Sequence, residues 1–417
     1  MEEKKDPGDL RREADGRLAG ARLNTICLHA GDGRFGQEPY PSVVPVFQAT
    51  TYYFKNASSL EAMLSGQRDG YAYSRWGTVT NAALEKALST LLGGGVTIAT
   101  ASGMAANFAA LQAAGLCNGR TLLVSKEIYG NTYDILKNHF EKNGARCVFA
   151  DFTDGDSLQK LIDQVRPDVV FFEVLANPTL SVIDAPRVIA AAHAAGARVV
   201  VDNTFATPYL YRPFFDGVDF ETHSLTKYIN GHGDALGGSI TCRAEDFRNL
   251  ENIVCTQGSV LSPDAAKLIL RGLKTFGLRM RQHCASAKAI ADYLAGRPEI
   301  ENIRFPGLES HPTHSVAKRL FRGGEFGGML CFDLKGKGKE DAFKFIDTLK
   351  LVTPAGSLGD VKSLIVHPSS TTHHTLSALE KRGIGISEST LRLSVGIEDQ
   401  EDLLADLEWA LKAAGSP

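Results

Sequence analysis

Apolar and polar positions along the middle of the chain follow two alternating periods. Thr121–Ser125 reads TLLVS, and helical spacing follows over Tyr133–Lys142. Ala145–Phe152 (ARCVFADF) precedes helical spacing over Asp156–Val165, and Asp168–Leu175 (DVVFFEVL) precedes an alanine-rich helical stretch over Ala185–Ala195. Ala197–Asn203 (ARVVVDN) closes the series. Short apolar or β-branched runs separated by helices predict an α/β fold, a mixed and mostly parallel sheet with helices on both faces. In such sheets ligands sit at the carboxyl ends of the strands.

A second pattern follows. Pro263–Leu294 has the spacing of one long helix ending near Gly296-Arg297-Pro298. Gly327–Leu334 (GGMLCFDL), a helix over Glu340–Leu349, a loop through Gly356 and a last helix over Gln400–Ala414 fit a smaller C-terminal α+β domain. The division expected is a tail and arm over 1–70, a large domain over 71–277 and a C-terminal domain over 278–417. A chain of 417 residues is long enough for two packed domains.

Composition narrows the function classes. The net charge of -3 supplies no global positive field, so nucleic acid is not expected as a partner. No apolar run approaches the roughly 18–20 residues of a membrane span, so no membrane is expected either. Met1–Gly20 is charge-rich and lacks a secretory apolar core; it reads as a mobile tail, or as an arm that orders against a neighbouring subunit. The seven cysteines are scattered without a C-x-x-C pair, which points to neither a disulfide framework nor a zinc site and suits a reduced cytoplasmic interior.

Three strand ends carry candidate chemistry. Thr97–Thr100 (TIAT) runs into Ser102-Gly103-Met104 and a helix start, where free N–H groups form an anion site; the same residues also fit an ordinary strand-to-helix turn. ARVVVDN ends in Asp202, either a cap or a partner for a protonated pyridine nitrogen. Lys227 lies between Ser224, Thr226 and a glycine-rich stretch. It is either a solvated lysine or one whose pKa is lowered for Schiff-base chemistry. His232 reads as structural, and His373-His374 as a solvated pair without a third metal ligand.

The block SLTKYINGHGDALGG, with ATASGMAAN, VVVDNTFATPY, YSRWGTVTN and LRLSVGIED, resembles the Cys/Met-metabolism family of fold-type I pyridoxal-phosphate enzymes. The resemblance runs from about Leu28-His29-Ala30-Gly31 to the last helix. It implies pyridoxal 5′-phosphate as cofactor, held by Lys227 as a Schiff base, with Asp202 on the pyridine nitrogen and Tyr129 stacked on the ring. It implies Gly103, Met104, Ser224 and Thr226 on the phosphate, Ser102 and Thr204 beside them, and Tyr73 and Arg75 reaching the neighbouring subunit's site. Arg392, with Asn177 and Ser357 nearby, would bind the α-carboxylate of an amino-acid substrate, a task suited to a planar guanidinium. A homo-oligomer follows, with the dimer as minimal active unit and a tetramer expected.

Three positions depart from the family's pattern. Thr78-Val79-Thr80 stands where N-P-T is usual, which frees the loop. Asn131 replaces the cysteine of methionine γ-lyases. Gly356 stands where cystathionine-using members commonly carry glutamate, so the distal ammonium of cystathionine loses its partner. The leading expectation is γ-elimination from methionine or a similar γ-substituted L-amino acid, giving 2-oxobutanoate, ammonia and the leaving group. The alternatives are γ-replacement, as in an O-acyl-homoserine sulfhydrylase or cystathionine γ-synthase; cystathionine γ-lysis; and a cofactor-binding protein without turnover. The intact set of Lys227, Asp202, Tyr129 and Arg392 argues against the last.

Overall fold

The computed structural model describes residues 14–32, 40–68, 70–374 and 377–415. The larger sheet is built from β1 (Val96–Thr100), β2 (Thr121–Ser125), β3 (Arg146–Ala150), β4 (Val169–Glu173), β5 (Arg198–Asp202), β6 (Phe220–Ser224) and β7 (Gly238–Cys242). Their order is β1-β7-β6-β5-β4-β2-β3, with β7 antiparallel to both neighbours and the other pairs parallel. Both faces are covered. Val170 and Phe172 of β4 join one apolar layer, while Val169 and Phe171 join the other. Burial on two faces is why these strands read as unbroken apolar runs.

Four of the expected helices form close to where the spacing places them, over Gly155–Val165, Ala185–Ala194, Lys339–Thr348 and Gln400–Gly415. The spacing over Tyr133–Lys142 becomes a short helix, Gly130–Ile135, continued by a π-helical turn over Leu136–Phe140. The long helix expected over Pro263–Leu294 is two, Pro263–Leu273 and Phe276–Ala295. Buried Arg279 accounts for the break: its guanidinium donates to the carbonyls of Gly272 at 2.9 Å and Tyr228 at 2.7 Å. The Gly272 carbonyl, at the end of the first helix, is thereby satisfied by a side chain rather than by continued helix.

The second sheet contains β8 (Ile300–Arg304), β9 (Met329–Leu334), β10 (Thr353–Pro354), β11 (Leu364–Val366) and β12 (Thr390–Ser394), in the order β10-β11-β12-β9-β8. Along β12, Leu391 and Leu393 enter the core. Arg392 between them lies on the opposite face, as the two-residue period of a strand requires.

Two expectations change at the amino-terminal side. Residues 1–13 of the expected tail lie outside the described residues, but from Asp15 onward the chain is docked: Asp15 is buried and its amide donates to Thr90 Oγ1 at 2.7 Å. The Thr78-Val79-Thr80 segment is not a freed loop. Thr78 Oγ1 caps the helix Val79–Leu92 by accepting from the Asn81 amide at 3.2 Å, and Thr80 Oγ1 donates to the Pro45 carbonyl at 2.8 Å. A capping threonine replaces the rigidity a proline would supply.

Candidate active site

Because β2, β4, β5 and β6 run parallel, the loops that follow them meet at one edge of the sheet, together with the turn after β1. A cavity of about 280 Å³ opens there. Of the residues singled out in the sequence, Ser102, Gly103, Met104, Tyr129, Asn177, Asp202, Thr204, Ser224, Thr226, Lys227 and Arg392 line it. Ser357 touches the site through Lys227, whose Nζ donates to Ser357 Oγ at 2.9 Å. Tyr73 and Arg75 do not line this chain's own cavity; Tyr73 is 43% exposed, and Arg75 Nη1 donates to the Cys255 carbonyl at 3.1 Å.

The cavity floor is made by close backbone approach. Ser102 Oγ caps the helix Gly103–Ala113 by accepting from the Ala105 amide. Gly103 sits so near β6 that a Cβ there would fall 2.8 Å from Ser224 Cβ. The helix start, with its free N–H groups, is therefore held against the Ser224 and Thr226 hydroxyls. Gly359 does similar work for the other wall. Its φ is +71°, and a Cβ there would lie 2.6 Å from the Tyr228 amide nitrogen. Only glycine lets the loop carrying Ser357 rest against the Lys227 turn.

Burial, and then the nearby Arg392 charge, pull the Lys227 ammonium down to about 8. A sizeable fraction of neutral amine thus exists near neutral pH. Arg392 is 2% exposed. Its Nη1 donates to Asn177 Oδ1 at 2.9 Å and its Nη2 to the Ser357 carbonyl at 3.3 Å, while its Nε has no partner among the described residues. Both partners are neutral, so the guanidinium is a buried cation with an unspent donor. A buried cation without a counter-charge is costly, and an arriving carboxylate relieves that cost.

On the opposite wall, Asp202 accepts from Asn107 Nδ2 and from the Thr204 amide, each at 2.9 Å. Glu173 is its register partner on β4 and also lines the cavity. Burial first, and then the Asp202 charge, push the Glu173 carboxyl well above the usual carboxylate range. Two like charges about 5 Å apart repel by roughly 3 kcal/mol at an effective dielectric near 20. Burial also raises the Tyr129 phenol, with Arg392 opposing.

This donor set fits pyridoxal phosphate. A helix start and two hydroxyls suit a phosphate, Asp202 a protonated ring nitrogen, and the partly neutral amine of Lys227 a carbonyl carbon. Asn107, Leu175, Phe205, Leu236, Leu358, Thr372 and Glu173 also line it without having been singled out in the sequence. Two of them carried a signal. Asn107 follows Gly103 by one helical turn, and Glu173 ends DVVFFE as Asp202 ends RVVVD. His373, expected to be solvated, is 2% exposed, and burial holds its imidazole down to about 4. No group of acidic, histidine or cysteine side chains among the described residues is placed to hold a metal ion, and all seven thiols are free.

The family model described as Cys/Met metabolism PLP-dependent enzyme matches residues 24–412. An L-methionine gamma-lyase of Fusobacterium nucleatum subsp. polymorphum is 37% identical over 394 residues, 94% of this chain and 98% of that protein. An O-succinylhomoserine sulfhydrylase of Pseudomonas aeruginosa is 36% identical over 400 residues, 96% of this chain and 97% of that protein. The crystal structure of a cystathionine gamma synthase from Xanthomonas oryzae pv. oryzae superposes with a TM-score of 0.88 at 37% identity, covering 94% of this chain and 98% of that one.

The lowered Lys227 pKa is open to direct measurement. In protein stripped of cofactor, acylation of Lys227 followed by peptide mapping should be half-maximal near pH 8. Exposed lysines should follow only as pH approaches their ordinary value of about 10.4. Lys227 titrating together with the exposed lysines would contradict the desolvated environment described above.

Proposed function

The chain belongs to the Cys/Met metabolism PLP-dependent enzymes, and from that premise we propose that it eliminates an uncharged γ-substituent from an L-amino acid of the methionine type. The observation that carries this reading is the charge inventory of the cavity. Among the described residues its acidic and basic side chains are Lys227, Arg392, Asp202 and Glu173, and we assign each a task near the amino-acid core. Asn131, Gly356, Leu358, Thr372 and Leu236 add only neutral lining, so among this chain's described residues no fixed charge there matches a charged distal group. The departures at Asn131 and Gly356 thus both face the cavity. The γ-lyases among the similar proteins support elimination.

In this reading Arg392 binds the substrate α-carboxylate and Asn177 holds the guanidinium flat. Bound pyridoxal phosphate supplies an electron sink for the charge left at the substrate Cα. Ser102, Gly103, Met104, Ser224 and Thr226 would hold the phosphate, and Asp202, oriented by Thr204, would hold the ring nitrogen protonated. Lys227, partly neutral at working pH, takes the Cα proton and delivers protons during loss of the γ-substituent. Tyr129 would cover the ring. Elimination, completed when one water hydrolyses the imine that remains, then gives 2-oxobutanoate, ammonia and the departing thiol. A second reading, replacement of an O-acyl group by sulfide, is favoured by the sulfhydrylase of nearly equal identity.

A panel of methionine, cystathionine, O-acetyl- and O-succinyl-homoserine, each with and without sulfide, separates these readings. The expectation is 2-oxobutanoate and ammonia from methionine without sulfide, and little from cystathionine. Turnover that requires sulfide and yields a new thiol amino acid would instead establish replacement.

Removing the guanidinium should be costly. Arg392→Ala is expected to lose about 2–5 kcal/mol of transition-state binding, as when one partner of a buried charge pair is deleted. At about 1.4 kcal/mol per tenfold, kcat/KM falls roughly 30- to several-thousand-fold. An effect below about threefold would show that the carboxylate docks elsewhere.

We further infer that each site is shared between two chains. Tyr73, Trp76, Val43, Tyr53 and Leu64 are exposed along the amino-terminal arm, and an apolar surface of this kind suits burial against a second copy. Arg75 would then serve the neighbour's phosphate, in a symmetric dimer with two such sites. Arg75→Ala and Lys227→Ala are each expected to have little activity. Their mixed dimer, isolated with different tags, should regain part of it, because one site then carries both defects and the other none. A mixed dimer no more active than its parents would remove Arg75 from the shared site.

A further inference from the structure

Glu173 ends β4 directly beside Asp202 at the end of β5, and it is 5% exposed. Its carboxyl accepts from the Tyr129 amide at 2.5 Å and faces the Asn177 amide. Tyr129 lies on the loop after β2 and Asn177 on the loop after β4, so one carboxyl fastens the first loop and lies against the second. Each loop presents a site residue. Tyr129 lines the cavity with its side chain, and Asn177 Oδ1 holds Arg392 Nη1.

The two acids cannot be treated alike. The charged groups that bear on Glu173 are Asp202 on the adjacent strand and Glu127 on the loop after β2, and both are acidic. Among the described residues no lysine, arginine or histidine forms an ion pair with Glu173. Asp202 is more open to the cavity and is held by the Asn107 amide and the Thr204 amide, donors that favour a carboxylate. A proton taken up by the pair therefore goes to the enclosed partner, since like charges side by side disfavour two carboxylates. A protonated carboxyl still accepts the Tyr129 amide through its carbonyl oxygen.

We propose that Glu173 is a positioning residue that works as the neutral acid of a Glu173–Asp202 pair, fastening Tyr129 beside Asn177 while leaving one negative charge for the cofactor ring. The proposal rests on the reading of Asp202 and Tyr129 as cofactor contacts. Its chemistry is nevertheless testable without cofactor. A neutral acid is mimicked by an amide of the same shape, whereas an ionised one is not. Through Asn177, Glu173 also bears on how Arg392 meets the substrate carboxylate, so its loss reaches KM as well as kcat.

The test has two arms. Infrared difference spectra of the cofactor-free protein, wild type against E173Q, should show the carbonyl band of one protonated carboxylic acid missing from the variant. That band does not depend on any assignment of cofactor contacts. In the loaded enzyme, E173A should lose about tenfold or more in kcat/KM with a raised KM, the scale expected when buried hydrogen-bond donors lose their acceptor. E173Q should recover most of that loss. Should E173A fail to fold, E173D, which withdraws the carboxyl from the two amides, takes its place. Absence of the missing band, or E173Q no better than the shortened variant, would overturn the proposal. A normal band difference with cofactor bound elsewhere than Lys227 would instead fault the reading of the site.

Discussion

Because β2, β4, β5 and β6 pair in parallel, the segments that leave their carboxyl ends reach one edge of the sheet together. Backbone hydrogen bonding sets that alignment, and everything at the edge inherits it. Glu173 and Asp202 are neighbours because β4 and β5 are in register, and Ser224 and Lys227 follow because β6 is next in the order. A slip of one residue on any of these strands would turn its terminal side chain to the other face. The two apolar layers that clamp the sheet make such a slip expensive. The core, in this sense, holds the site as well as the fold.

Charge is distributed unevenly across that edge. The larger sheet supplies acids and an amine, while the guanidinium comes from β12 of the second sheet. Arg392 is buried among neutral groups, so its wall is poised for an anion from outside. The acidic wall places Glu173 and Asp202 side by side, and burial with the Asp202 charge pushes the Glu173 carboxyl up. These two imbalances are complementary. In the function proposed, an amino acid would bring a carboxylate to one wall, and a protonated ring nitrogen would neutralise the other.

Close backbone contacts bring the walls together. Gly103 lets a helix start lie on β6, and Gly359 lets the Ser357 loop lie on the Lys227 turn. Neither position offers chemistry of its own. Without them the hydroxyls, the amine and the guanidinium would stand too far apart to act on one small molecule. The neutral residues Asn131, Gly356 and Leu358 occupy the remaining lining, which is where differences among related enzymes have room to act.

Much of this was legible in the chain itself. Apolar runs and helical spacing marked β1 to β5 of the large sheet and most of the helices between them, because local periodicity reports which faces are buried; β6 and β7 had no such run. The SLTKY block, the acid closing ARVVVD and the arginine in LRLSVG singled out Lys227, Asp202 and Arg392 by residue type and by place at a strand or its end. Other features came only with the tertiary structure. The spacing over Pro263–Leu294 is helical throughout, but Arg279 reaching back to the Gly272 carbonyl ends the first helix. His373 looked solvated, and only packing buries it. Ser357 meets Lys227 across 130 residues. Glu173 has the same local pattern as Asp202, an acid after an apolar strand, so nothing along the chain separates their roles. Their different enclosure and hydrogen-bond partners do, because a carboxyl group's charge depends on solvent and neighbours that the fold alone brings into contact.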